Sequence, residues 1–162
     1  MWNWIKANLS QIARFLAVAG VLALTVTSRA ADAPSLRTLA KGGFSGITEA
    51  RLSVIRDQAS WEQFWKEHSV RVTNPPPAPA VDFKKEMVLT ATLGRRTTGG
   101  FSIEFTRIQD DPAGLKVFVV KKSPRPGGMN LQSLTAPFHF VAVPVSEKKV
   151  EFVDGDNSPA PK

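Results

Sequence analysis

VDFKKEMVLTATLGRRTTGGFSIEF (residues 81–105) is the stretch on which the reading of the fold turns. Its centre alternates with period two, setting Val88, Thr90 and Thr92 on one side and Met87, Leu89, Ala91 and Leu93 on the other. A pleated strand requires this pattern, because successive side chains point to opposite faces. The alternation breaks at Gly94-Arg95-Arg96-Thr97-Thr98-Gly99-Gly100 and resumes with Phe101, Ile103 and Phe105. The stretch therefore predicts two strands joined by a seven-residue hairpin tip. A plain turn needs only a glycine or two, whereas this tip adds two arginines and two hydroxyls. Guanidinium groups pair with acidic groups or stack on rings, and glycines let another backbone approach closely. Arg95, Arg96, Thr97, Thr98, Gly99, Gly100 and Phe101 are thus the candidate protein-contact residues. The competing reading of the same loop is a solvated hairpin end.

Downstream of this stretch, further strands are expected near Leu115 to Lys121, Phe138 to Val143 and Lys149 to Val153. Asp110-Asp111-Pro112-Ala113-Gly114 and Ser146-Glu147-Lys148 carry turn residues between strands, which favours antiparallel pairing. Ser123 to Pro137 is a long connection rich in Pro and Gly. Upstream, Phe44 to Asp57 reads as imperfect strand. Ser60-Trp61-Glu62-Gln63 then has the form of a capping box, predicting a helix that starts at Ser60. Trp61, Phe64, Trp65 and His68 fall on one stripe of that helix, which must lie on a sheet to bury its indoles; Trp65 is expected to be largely buried. Asn74-Pro75-Pro76-Pro77-Ala78-Pro79 can neither continue a helix nor donate fully to a ladder, so it is expected to be an extended connector. The expected fold class is α+β: a mostly antiparallel β-sheet with one short Trp-bearing helix packed on it, preceded by a signal peptide.

The signal-peptide expectation rests on Lys6 and Arg14, followed by an apolar run from Phe15 to Val26 and by Ser28-Arg29-Ala30, which offers small residues at a cleavage site. That run is short against the roughly 20 residues that span a bilayer. Cleavage after Ala30 would leave an exported, periplasmic or extracellular protein with no stable membrane anchor. Residues 1–30 are accordingly read as signal peptide, 31–43 as a flexible leader, 44–153 as one folded domain and 154–162 as a disordered tail. Removing the first thirty residues takes away Lys6, Arg14 and Arg29 and no acid, so the formal charge falls from +7 to +4. So modest a charge, with no basic helix or aromatic RNA-binding motif, argues against a nucleic-acid partner. Without cysteine no disulfide forms, and stability must come from a packed core.

Catalytic motifs are sparse. The chain has no Cys and no Tyr, and its two histidines are far apart, which excludes thiol catalysis and weakens most metal-site patterns. Gly43-Phe44-Ser45-Gly46-Ile47 lacks the last glycine of a nucleophile elbow. Asp154-Gly155-Asp156-Asn157 starts like a calcium loop without its closing glutamate. His139, between Phe138 and Phe140, should face away from the phenyl rings on a strand, with no identifiable nucleophile beside it. The expectation is a non-enzymatic module with no cofactor, no metal and a protein partner.

Several residues together carry a family resemblance: Val54-Ile55-Arg56-Asp57, Trp61 with Phe64-Trp65, Val81-Asp82-Phe83, Met87-Val88-Leu89, Gly94 with Thr98-Gly99-Gly100-Phe101-Ser102-Ile103, Thr135-Ala136-Pro137-Phe138-His139 and Val141-Ala142-Val143-Pro144. In this order and spacing the chain resembles the C-terminal domain of the PrcB family of protease-complex subunits. The resemblance implies an exported, non-catalytic subunit that associates with and stabilises a partner protease. The lipid anchors of some family members do not carry over, since there is no Cys to modify. Thr97-Thr98-Gly99-Gly100-Phe101 is also similar to the Thr-Thr-Gly-aromatic loop of chagasin-type cysteine-protease inhibitors, although Arg95-Arg96 stands where Asn-Pro is expected. That similarity implies the alternative of a protease inhibitor using the Thr97–Gly100 loop. An envelope enzyme acting through His139 is the remaining alternative.

Overall fold

The computed structural model describes residues 34–125, 127 and 132–155, so the expected signal peptide and residues 156–162 of the expected tail lie outside the described residues. In chain order the elements are β1 (Arg37–Gly42), β2 (Ala50–Ile55), α1 (Gln58–Ser69), β3 (Glu86–Leu93), β4 (Ser102–Asp111), β5 (Gly114–Lys122), β6 (Phe138–Pro144) and β7 (Val150–Asp154). They form two sheets, a four-stranded one in the order β1-β6-β3-β2 and a three-stranded one in the order β4-β5-β7. Every pairing is antiparallel except that of β5 with β7. The α+β reading, mostly antiparallel with one Trp-bearing helix on a sheet, is borne out.

The larger sheet is the middle of three layers, and β3 shows why. Met87, Leu89, Ala91 and Leu93 face the smaller sheet and pack with Ile103, Phe105, Ile108, Leu115, Val117 and Val119. On the opposite face Val88 joins Phe138 and Phe140 under Trp61 and Phe64 of α1. A strand covered on both faces should be buried on both, as a run of eight residues with seven buried is here. Both edges of β3 are taken too, by β2 and β6.

That occupancy corrects the hairpin expectation. No edge of β3 is left for β4, so residues 94–101 are a crossover between the two sheets rather than a hairpin tip. Gly94 starts the crossover at φ 76°, where a Cβ would lie 2.8 Å from the Ala50 nitrogen, a conformation and a closeness that glycine alone tolerates well. Ser146-Glu147-Lys148 likewise links strands of different sheets, since β7 pairs with β5. Asp110 to Gly114 does close a hairpin, between β4 and β5.

The expected flexible leader needs a second correction. Its residues Arg37–Gly42 form β1, an edge strand on β6 with a bulge between Thr38 and Ala40. Its side chains are mostly exposed, which left no period for the sequence to display. Asp154, assigned to the tail, ends β7, and the Gly155 N–H donates to Val119 O at 2.8 Å.

Helix α1 starts earlier than expected. Asp57 is its N-cap, its carboxylate accepting the Ser60 N–H at 2.8 Å. That bond holds the Asp57 carboxyl below its ordinary pKa. Trp61 is the fully buried anchor, at 0% exposure. Trp65, expected to be largely buried, is only half-buried, because it lies at the edge of the stripe. The connector uses both indoles: Trp61 Nε1 donates to Pro79 O at 2.9 Å and Trp65 Nε1 to Pro76 O at 2.8 Å. A buried indole N–H needs such an acceptor, and extended proline-rich backbone has carbonyls to spare.

Candidate functional site: an apolar recess beside the sheet crossover

Four backbone hydrogen bonds gather segments distant in sequence at the C-terminal end of α1. Gly46 N–H donates to His68 O at 2.7 Å, Arg95 N–H to Thr48 O at 2.9 Å, Arg96 N–H to Thr135 O at 2.7 Å and Ala136 N–H to Gly43 O at 2.7 Å. Gly46 permits the closest of these approaches, since a Cβ there would meet Glu67 O at 2.5 Å and His68 O at 2.8 Å. Between these segments lies a recess of about 260 Å³.

Apolar side chains dominate its rim. Phe44, Val72 and Leu134, which line the recess, are 71%, 51% and 56% exposed. Val70, also exposed, adjoins Gly46. Isolated apolar side chains on a surface are ordinary, whereas several converging on one concavity make it a candidate contact surface. Arg71 and Arg95 line the same recess and are exposed, and among the described residues neither guanidinium forms a side-chain hydrogen bond or an ion pair. Among the described residues no acidic side chain lines the recess.

Ser45 and His68 form its floor. The Ser45 hydroxyl accepts the Ile47 N–H at 3.1 Å and shares a 2.9 Å hydrogen bond with His68 Nδ1. His68 lies against the Phe138 and Phe140 rings, with centroids at 4.4 and 4.9 Å, and burial lowers its pKa. The pair ties the Phe44–Thr48 segment to the end of the helix, with both groups buried and the hydroxyl already accepting a backbone N–H.

The sequence-derived contact residues divide accordingly. Arg95 opens onto the recess. Arg96 is half-buried and pinned: its backbone forms a bridge with Thr135, Nη2 donates to Leu93 O at 3.0 Å, and its guanidinium lies over the Phe101 ring at 5.4 Å. Thr97 is exposed, and the Thr98 carbonyl accepts the Thr135 hydroxyl at 3.0 Å. Gly99 and Gly100 complete the crossover, Gly100 at φ 85°, and Phe101 packs against the core between the sheets. The structure thus joins Arg95 to Phe44, Arg71, Val72 and Leu134, residues in segments without periodicity that sequence reasoning passed over.

His139 occupies a different place. It is 3% exposed on β6, facing the smaller sheet as its position between the two phenylalanines requires. Nδ1 accepts the Phe105 N–H at 3.0 Å, so the neutral ring carries its proton on Nε2, which donates to Thr38 Oγ1 at 3.1 Å. The histidine links β4, β6 and β1 with both nitrogens engaged, and burial pushes its pKa down to about 4.

Residues 87–144, from β3 through β6, match the family model described as PrcB C-terminal. Over this segment the chain is similar to the PrcB C-terminal family. The resemblance read from the sequence is borne out over it. The PrcB C-terminal segment contains the crossover, Arg95 and Leu134 to Ala136, while the helical wall and Phe44 to Thr48 lie outside the match. No curated protein and no solved structure matches the chain. Among the described residues, no helix is long and apolar enough to cross a membrane.

Proposed function

We propose that this chain is a non-enzymatic, exported protein-binding subunit that associates with a partner protease and engages it through the recess at the end of α1. The observation that carries the reading is the convergence of exposed Phe44, Val72 and Leu134 with Arg71 and Arg95 on one preformed concavity. Aromatic and arginine side chains around a small apolar pocket are the usual composition of an interface hot spot. The family match supports a protease-complex setting. Both ring nitrogens of His139 serve the fold, which disfavours the enzyme alternative. The inhibitor alternative needs a projecting Thr97–Gly100 loop, and the Thr98 carbonyl and Arg96 are instead held against Thr135.

The test is to express the tagged protein in its host, cross-link it, and compare it with Phe44→Ser/Leu134→Ser. A co-purifying protease that the variant loses, at unchanged melting temperature, is the expected result. A partner retained equally by the variant moves the contact elsewhere, and recovery of a sugar or lipid in place of protein overturns the reading.

A further inference from the structure

We infer that the recess takes a carboxylate-bearing peptide segment that inserts one apolar side chain, with Arg71 and Arg95 holding the carboxylate. This rests on the protein-binding reading above and specifies the chemistry of the occupant.

Size argues first. Pockets for whole small molecules run to roughly 300–1,000 Å³, and the recess, at about 260 Å³, suits a side chain or two. The apolar rim supplies the reason for such a side chain to enter, because burying it removes exposed Phe44, Val72 and Leu134 surface from water as well.

Charge selects what flanks that side chain. Two exposed guanidiniums line the recess, with no acid among the described lining residues. The nearest glutamate of the helix, Glu67, is already paired with Arg51 at 2.9 Å. Guanidinium meets carboxylate in a two-point, planar geometry that an amide or a hydroxyl does not reproduce. A cationic segment would be repelled, and a neutral one would leave both arginines without a counterpart. Preformed walls add to the selectivity, since the four backbone bonds that set them are present before any ligand arrives.

The carboxylate has two sources, an Asp or Glu side chain or the C-terminus of a chain, and the experiment separates them. Three sets of fluorescein-labelled octapeptides, each with Leu or Phe as anchor, are titrated against the full protein by anisotropy. One set has Glu flanking the anchor and an amidated C-terminus. The second replaces Glu with Gln. The third keeps Gln but ends in a free carboxylate beside an apolar last residue. At least one carboxylate set should bind about tenfold or more tighter than the amidated Gln set, as expected for an interface arginine contact. Whichever set does so identifies the source. Arg71→Ala/Arg95→Ala should erase that preference without lowering the melting temperature, because both side chains are exposed and unpaired among the described residues. Equal binding of all sets, a preference surviving in the double variant, or no binding by any set overturns the inference. If no peptide binds but Phe44→Ser/Leu134→Ser still loses its captured partner, the inference falls and the docking surface stands. If capture is undiminished by that variant, the docking surface itself falls.

Discussion

Acidification should loosen the two sheets from each other, because His139 bridges them and must stay neutral to do so. Its Nδ1 accepts the Phe105 N–H, and a second proton there would set one donor against another in a buried site. Burial is the main cause of the lowered pKa, Lys41 adds to it, and Glu104 opposes it. A histidine whose folded pKa is lowered binds fewer protons folded than unfolded. Its contribution is therefore complete above the unfolded value of 6.5 and is lost as the pH falls toward about 4. The gap between those values, at about 1.36 kcal/mol per pH unit, corresponds to at most about 3 kcal/mol.

Other groups act in the same direction; Asp57 and Asp111 do so only below their ordinary value of 3.8, so His68 and Glu104 are the ones to be separated. Burial lowers the His68 pKa too, so its contribution also fades below 6.5. Glu104, held below its ordinary value chiefly by its hydrogen bond to Lys41, loses its contribution only below 4.5. Urea unfolding followed by tryptophan fluorescence, in steps between neutral pH and 4.5, should show the wild type weakening throughout the range. His139→Gln keeps a donor and an acceptor but does not titrate. It should begin about 1–2 kcal/mol less stable, for imperfect hydrogen bonds, and then weaken more gently. His68→Gln measures the other histidine. A slope unchanged in His139→Gln, or an NMR titration of His139 near 6.5, would refute the reasoning.

Trp61→Ala should cost about 3–5 kcal/mol in a urea titration, and Trp65→Ala clearly less, since Trp61 is the fully buried indole. Thr90 is buried and its hydroxyl has no hydrogen-bond partner among the described residues, so Thr90→Val should be neutral or raise stability by about 1 kcal/mol; a loss would reveal an acceptor for that hydroxyl. Arg96→Ala should cost about 1–2 kcal/mol through the Leu93 carbonyl and Phe101 contacts, whereas Arg95→Ala should leave the melting temperature unchanged; equal effects would deny the division between them.

Much of this fold was legible because β3 alternates with period two, an apolar set opposite one of Val88 and two threonines, and the Trp stripe required a sheet to lie on. The PrcB C-terminal pattern was legible from the same residues. Pairing was not, because the neighbours of β3 are set by β2 and β6 far along the chain, and no local signal distinguishes a hairpin tip from a crossover. β1 was missed for a related reason: an edge strand carrying Arg37 and Lys41 on exposed positions has little apolar period to read. Of the site, Arg95 stood out by composition, and Arg71 did not. Phe44, Val72 and Leu134 did not, since a lone apolar residue in an irregular segment becomes informative only when folding brings it beside others.

The crossover and the recess are consequences of one topological fact. Because β3 is enclosed on both edges, the chain leaving it must turn out of the sheet at Gly94, and the first residues to do so are the two arginines. Arg96 turns inward and is tied to Thr135 and Leu93, which orients the crossover. Arg95 consequently faces the other way, onto the concavity bounded by the end of α1. The same bridge with Thr135 places Leu134 beside it, and the bond from Ala136 to Gly43 brings Phe44 to the rim. A solvent-exposed hairpin tip would have left these groups on a mobile loop and charged binding with the entropy of ordering them. Anchored between two sheets and a helix, they are held in place by the fold, so in the proposed docking the side chains at the rim would set specificity while the backbone beneath them sets the shape.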